Sequence, residues 1–507
     1  MNRTNIYRYA ASAAGLLLVA LLCGCAPKKP QNATRLEAAP HLYPDVAGVT
    51  IPVNIAPLTF TILDEGSDFV TSFTCDGTEL LAGGKNVEPD EGEWKTLLTS
   101  AKGKEVTVQV YRKNEASWQA FAPFTITVSP DSIDPYISYR LISPSYVSYE
   151  KLTLNQRELA TYDEKEIYNN MLISRGEKGQ CINCHSYKAY GTSTMQFHAR
   201  QTLGGTLFVI DGKMKKVNLK NDSTLSAGVY PAFNPCYNVI AYSVNTTWQT
   251  FHMLDKNKVE VQDSQSDLIL YDYDKNEITT VRNDPNELEV FPTWSPDGKT
   301  LYFCSAHVDT QGKTGDSLQI LMLHQYRDIL YNIYKVNYNP QNRSFSQYPD
   351  TVFAASKLHK SATFPRVSPD GHYVLFAMGD YGCFHIWHNS ADLYVKDLVN
   401  DTVYPLAAAN SPRAESYHSW SSNGRWILFA SRRDDGDFSR LYISYFDRNG
   451  VVHKPFMLPQ QSPEFYHYFY KSYNVPEFMK EPVRFTPQEF ATCLKGEAVK
   501  ATYNPQR

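Results

Sequence analysis

The sequence predicts a mainly β protein: an amino-terminal β-sandwich, a short helical segment, and then a propeller of four-stranded blades. Three observations carry that prediction. Variants of one unit recur as YPAFNPCYNVIAYS from Tyr230, FPTWSPDGKTLYFCSA from Phe291, FPRVSPDGHYVLFAMG from Phe364 and YHSWSSNGRWILFASR from Tyr417. Each reads as strand, tight turn, apolar strand, and each is followed by a second hairpin such as DLILYDYDKNEITTV, which makes four strands per repeat. Aromatic residues stand at 13%, with 35 Tyr against 9 Met, and Tyr suits half-buried pleated surfaces better than helix interiors.

The 507 residues leave room for several domains. A hydrophobic share of 42% with 20% charged residues excludes global disorder. With 49 Lys and Arg against 53 Asp and Glu, the net charge of −4 supplies no cationic field for nucleic acid. At the amino terminus Arg3 and Arg8 precede an apolar run from Ala10 to Leu22, shorter than the roughly 20 residues a bilayer needs but suited to a secretory signal. The run ends in Leu22-Cys23-Gly24-Cys25, which resembles the bacterial lipobox. That resemblance implies cleavage before Cys25 and lipid attachment to its thiol; an ordinary signal peptide is the alternative. Residues 1–25 are therefore expected to be a lipoprotein signal and 26–44, rich in Pro, Lys and Ala, a flexible linker. The mature chain is expected in a bacterial cell envelope, facing the periplasm and touching the membrane only through its lipid. Ala26 favours the outer membrane over the inner.

From 45 to 130 short alternating runs (VTIPVNIAPLTFTIL, DFVTSFTCDG, EVTVQVYRKN, AFAPFTITV) fit an immunoglobulin-like sandwich, without the Cys and Trp pattern of true immunoglobulin domains. Residues 131–190 read as a connector, a short helix beginning at the capping-box-like Asp163 and Glu166, and a CxxCH segment. The propeller is expected over 191–462 and an aromatic-rich tail over 463–507. Pro235, Pro296, Pro369 and Ser422 mark steps of 61, 73 and 53 residues, so the blades carry insertions. A weaker unit, MQFHARQTLGGTLFVIDGKMKKVNL, precedes the first and gives five recognisable blades, with six or seven possible.

The chemistry lies in Cys181-Ile182-Asn183-Cys184-His185, which matches the attachment site of a c-type haem. Two thiols at this spacing reach the two vinyl groups of one haem, and the adjacent imidazole ligates its iron. The chance expectation of such a match is about 0.004 at this composition. Zinc would require further ligands at similar spacing, and no second CxxC exists; a redox dithiol would ordinarily sit on a thioredoxin-like pattern. One covalent haem c is thus expected, held by Cys181 and Cys184 with His185 proximal. His198 or Met195 is expected as the distal ligand and Arg200 as partner of a propionate. The two distal candidates lie three apart on one strand and face opposite ways. The insertions 244–266, 307–331 and 380–391 carry His252, His307, His324, His385 and His388, expected to wall the haem or supply its sixth ligand. Gly315-Asp316-Ser317-Leu318 spells an esterase nucleophile motif but falls within an insertion, and reads as coincidence.

The Ser-Pro-Asp-Gly turns resemble those of TolB-like β-propellers over 191–462, a likeness that speaks for architecture and not for function. The whole layout is also similar to bacterial envelope lipoproteins of TolB-like or cytochrome type, which implies an envelope role. The expectation is an electron-transfer or redox-sensing haem protein with an envelope redox partner or other envelope protein. The alternatives are a haem-free scaffold binding envelope proteins or glycans, and an enzyme at an open haem site.

Overall fold

The computed structural model describes residues 27–115, 117–143, 151–173 and 180–505; Cys23, Cys25 and the expected signal lie outside them. The chain divides into two compact units, one of residues 1–48, 57–128 and 459–465, the other of 49–56, 129–458 and 466–507.

The first unit is two-sheeted. Its larger sheet pairs Glu105–Asn114 with Asp68–Cys75 on one side and with Ser117–Ala120 and Phe124–Val128 on the other; Leu42–Tyr43, Phe60–Ile62 and Asn86–Val87 form the smaller. Phe60 and Phe73 join the sheets edge to face at 6.4 Å. The sandwich reading did not foresee the helix Glu91–Ser100. Asp90 caps it, accepting from the amides of Gly92 and Glu93 at 2.9 Å, and Trp94, Leu97 and Leu98 form its buried stripe. Trp94 meets Phe73 at 5.8 Å.

The second unit is a propeller of six blades, each of four antiparallel strands. The first blade pairs Ser472–Met479, the innermost strand, with Tyr136–Ile142, then Thr153–Glu158 and Glu164–Asn169. Chain closure is thus by a carboxyl-terminal strand in an amino-terminal blade. The second blade is Ile182–Lys188, Gly191–Ala199, Gly205–Ile210 and Lys213–Asn218. The remaining four have Val229–Phe233, Glu287–Trp294, Ser361–Val367 and Glu415–Trp420 as inner strands, and the six inner strands neighbour one another in a closed ring. Past the closing strand, the helix Pro487–Lys495 buries Phe490 and Leu494, and Val499–Lys500 and Thr502–Tyr503 pair in parallel with outer strands of blades two and three.

The turns behave as their composition requires. In Ser295-Pro-Asp-Gly298 the Ser295 hydroxyl donates to Asp297, Asp297 accepts from the Lys299 amide, and Gly298 takes φ +67°. Ser368-Pro-Asp-Gly371 repeats the pattern, and in the last unit Asn423 does the work of Asp.

Three expectations are corrected. The helix expected from Asp163 is the edge strand Glu164–Asn169, followed by one 3-10 turn at Asn170–Leu172. Pairing with Thr153–Glu158 buries the neighbours Ile167 and Tyr168 completely, while Met171 stays 54% exposed. The CxxCH segment does not precede the first strand of its blade: Ile182–Lys188 is that strand, and the strand holding Met195 and His198 is the second. Blade strands therefore begin at Tyr136 and not at 191, and the six blades lie within the five to seven expected.

Closure predicts the cost of one substitution. Tyr473 is fully buried and meets Tyr139 at 4.8 Å, edge to face. Tyr473→Ala is expected to cost about 3 kcal/mol or more, read as a lowered urea midpoint.

Candidate functional site

Each inner strand of the propeller carries one non-glycine residue at positive φ: Val475 (+48°), Cys184 (+54°), Tyr230 (+49°), Phe291 (+55°), Phe364 (+55°) and Tyr417 (+46°). At each the strand register shifts, so all six are β-bulges at equivalent positions. The following residue is Pro231, Pro292, Pro365 or Pro476 in four blades, where a missing N–H costs nothing because the ladder is already broken. In the other two it is His185 and His418. The residue three after the bulge is apolar or aromatic in every blade: Tyr187, Phe233, Trp294, Val367, Trp420 and Phe478. Cys184-His185-Ser-Tyr187 is therefore the counterpart of Tyr417-His418-Ser-Trp420.

All six bulges line one cavity of about 900 Å³ at the centre of the ring. Its floor is aromatic. Phe291 and Phe364 lie 3.9 Å apart, Tyr230 meets Phe291 at 4.6 Å, and Phe364 meets Tyr417 at 5.2 Å. Cys184 continues this ring from the second blade. Burial pushes its thiol pKa up, which keeps it a neutral thiol rather than a reactive thiolate. Cys181 lines the same cavity and also packs among Ile182, Phe197 and Ala199. The seven described cysteines are all free.

The imidazoles are neutral. His185 is 4% exposed, and burial, then Arg140 and Arg366, push its pKa down to about 3. Its Nε2 is buried with no hydrogen-bond partner. His418 is the same case on the sixth blade: pushed to about 3 by burial and Arg366, it has Nε2 2.7 Å from the Phe364 carbonyl and Nδ1 unpartnered. His198, across the strand pair from Asn183, is held down to about 3 by burial and has Nδ1 3.1 Å from Thr206 Oγ1.

Cations are among the residues that line the cavity. Arg140 donates to the Ile182 carbonyl at 3.0 Å and to Asn474 Oδ1 at 2.6 Å. Arg200 faces Asn183, whose amide oxygen, in the orientation that satisfies both, accepts from Nη2 at 3.0 Å and Nε at 3.1 Å. Lys220 also lines it. Among the described residues Arg366 alone of these cations is ion-paired, with Glu477 at 2.7 Å.

The structure thus brings Cys181, Cys184, His185, His198 and Arg200 to one cavity. It does not bring Met195, which is fully buried in the core with Phe197 and Leu207 because it lies on the strand face opposite His198. Two of the three insertions wall the cavity, through Asn245, Thr247, Trp248 and Gln249 and through Phe384 and Trp387. Their histidines do not reach it. His388 pairs with Glu260 at 3.0 Å, His385 with Thr363 at 2.9 Å and His307 with Glu287 at 3.0 Å. His252 stacks on Tyr326, and His324 lies on the helix Gly315–Gln325, where Ser317 bonds the Thr314 carbonyl instead of forming a nucleophile site. Arg140, Arg366 and His418 were not expected from sequence; the repeat of x-Pro or x-His at each unit's head was the pattern that leads to His418. No cluster of three or more His, Cys, Asp or Glu among the described residues is arranged to hold a bare metal ion.

No family model and no curated protein matches the chain. Among solved structures it is similar to a puromycin-hydrolysing peptidase of Mycobacterium tuberculosis at 12% identity and TM-score 0.33, covering 82% of this chain and 57% of that one, so this chain spans little more than half of the peptidase. It is similar to the β-propeller domain of the Trilobed protease from Pyrococcus furiosus at 10% identity and TM-score 0.32, covering 71% and 96%. Two prolyl endopeptidases were described with a structure similar to it at 10% identity and TM-score 0.34, covering 65% and 51%. The propeller stands on the strand order itself.

The depressed histidines give a pH prediction. An unfolded imidazole takes a proton near pH 6.5 and the folded one near 3, so between these values the unfolded state binds more protons and stability falls as pH falls. Removing one such group by His198→Gln is expected to reduce the slope of unfolding free energy against pH, between pH 4 and 6, by about 1.4 kcal/mol per unit. Denaturant titrations of both proteins at several pH values measure it.

Proposed function

We propose that this propeller is the platform of a mono-haem c-type protein of the bacterial envelope, with the haem in the axial cavity and the lipid on Cys25. The observation that carries the proposal is the Nε2 of His185, buried and without a hydrogen-bond partner, within a CxxCH motif whose thiols line the same cavity. A neutral imidazole nitrogen without a hydrogen-bond donor is costly to bury and is the state a metal ligand must have. The residues present fit the group: two thiols for thioethers, a neutral imidazole, an aromatic floor and cations for propionates. Such a haem supplies one-electron exchange. Cys181 and Cys184 would hold the macrocycle and the Nε2 of His185 would be the nitrogen offered to its iron. His198, its Nδ1 beside Thr206 Oγ1, would offer its other nitrogen, and Arg200 would neutralise a propionate. Tyr230, Phe291 and Phe364 would keep water from the group, and an apolar surround of that kind favours a higher potential. Electron transfer to an envelope redox partner, or redox sensing, follows from this arrangement.

One observation favours a second reading, a haem-free scaffold binding envelope proteins or glycans. Cys184-His185 stands where every other blade has its bulge pair, so the two residues have structural work of their own.

The intact mass and pyridine haemochrome of the full chain, matured in a host with a cytochrome c assembly system, decide between them. The expected result is one added haem per chain and its loss in Cys184→Ser. A mass equal to the lipidated polypeptide alone, with no haemochrome, overturns the proposal and leaves the scaffold.

A further inference from the structure

The third blade carries an arm. Its second and third strands, Val239–Phe251 and Val259–Asp272, run to 13 and 14 residues. The last rung to the blade's inner strand is Val229 with Ser243, and the last to its outer strand is Leu268 with Arg282. Beyond these, from Asn245 with Ser266 to Phe251 with Val259, the two strands pair with each other, apart from a single rung of Ser266 to Leu288. At the rise of a strand this is a projection of about 20 Å.

One side of the arm is tied down. Glu260 pairs with His388 at 3.0 Å, Asn257 Nδ2 donates to the Tyr381 hydroxyl at 3.2 Å, His252 stacks on Tyr326, and Arg327 pairs with Asp255. What the turn presents outward is apolar. Met253 and Leu254 are 90% and 98% exposed, and Phe251 just before them is exposed as well. The helix Gly315–Gln325 packs beside Val259–Asp272 and leaves Ile320 and Leu323 exposed. Arg327, one turn beyond Leu323, is the residue that pairs with Asp255, the neighbour of Leu254, so helix and turn share one surface. Apolar side chains gathered in this way mark a contact surface, as scattered ones do not.

The charges around the turn say what covers it. Asp255 is neutralised by Arg327. Lys256 and Lys258 are exposed, and neither has a carboxylate partner among the described residues; Lys258 Nζ donates only to the Met253 carbonyl, at 3.2 Å. A projecting turn offers no groove to a small molecule. Its apolar tip, the aromatic ring behind it and the flanking ammonium groups follow the order of layers at a bilayer surface, from acyl boundary to headgroups.

We propose that this arm dips its turn into the surface of an anionic lipid bilayer, with Phe251, Met253 and Leu254 entering the acyl boundary while Lys256 and Lys258 meet lipid phosphates. The contact is additional to the lipid expected on Cys25 and depends neither on that lipid nor on the haem. Thr247 and Trp248 of the same arm line the axial cavity, so the contact ties that wall to the membrane.

The experiment puts a reporter at the turn of the full chain. Leu254→Trp is an apolar replacement at an exposed position. Its emission, after subtraction of the wild type, is read with vesicles of phosphatidylethanolamine and phosphatidylglycerol whose acyl chains are either brominated near the headgroup or unbrominated. The ratio of the two cancels constant quenching inside the protein, and a lipid on Cys25 holds the chain to the vesicle without burying position 254. The expected result is a blue-shifted emission that falls about twofold or more in the brominated vesicles. Adding Lys256→Gln and Lys258→Gln, or replacing the anionic lipid by phosphatidylcholine, is expected to remove most of that fall. Emission that stays red-shifted and equal in both vesicles overturns the proposal. So does a blue shift that needs no vesicles and grows with protein concentration, which marks the patch as a contact between copies of the chain. Neither failure touches the haem reading, which the haemochrome decides separately.

Discussion

Everything at the centre of this molecule depends on a strained residue repeated six times. Each inner strand holds one non-glycine side chain at positive φ, a conformation that costs roughly 1–2 kcal/mol per residue. The strain persists because it turns a side chain out of the blade into the axis, where the aromatics of four blades pack on each other. Without the bulges the inner strands would pair without interruption and the cavity would lose the side chains that form its floor. Five of the six positions hold bulky apolar or aromatic residues; the second blade has Cys184, a smaller side chain.

That difference marks the second blade. In the sixth blade the histidine after the bulge bonds the carbonyl of Phe364, the bulge residue of the blade before it. His185 likewise lies against the backbone of Val475 in the blade before it, and its Nε2 is left over. A seam between blades thus accounts for one nitrogen of His185 and not for the other. An unpartnered nitrogen is common to His185 and His418; what sets the second blade's contribution to the shared cavity apart is the pair of thiols beside it. The CxxCH here sits on a strand with a bulge, so the positive φ at Cys184 is what lets residues 181, 184 and 185 all address the cavity, when strict alternation would divide them between two faces.

Much of the architecture was legible in the sequence, because Ser-Pro-Asp-Gly turns have a local cause: a preset φ, an Asp that accepts from the amide two residues on, and a glycine at positive φ. The four units that announce themselves are those in which that local chemistry is intact. The first blade was hidden because its inner strand comes from residues 472–479, more than three hundred positions from its neighbours, and no local pattern reports such a pairing. The stretch from Asp163 carries a helix-like start and was overridden by burial of Ile167 and Tyr168 against the adjacent strand. The helix at Glu91–Ser100 was legible in its Asp90 cap and Trp94, Leu97, Leu98 spacing, yet was read as part of a strand-rich stretch. For the site, CxxCH pointed to the cavity directly. Strand alternation allowed only one of His198 and Met195 to face the cavity and left open which. Arg140, Arg366 and His418 converge only through the ring.

The central claim is that a haem iron stands against His185 within the ring of bulges. Anomalous diffraction at the iron edge, from crystals of the chain matured with a cytochrome c assembly system, tests it most directly. The account predicts one iron peak in the cavity at bonding distance from His185 Nε2, with density running unbroken to Sγ of Cys181 and Cys184. A cavity without an iron peak, with both thiols free and His185 set only against the Val475 backbone, would contradict it.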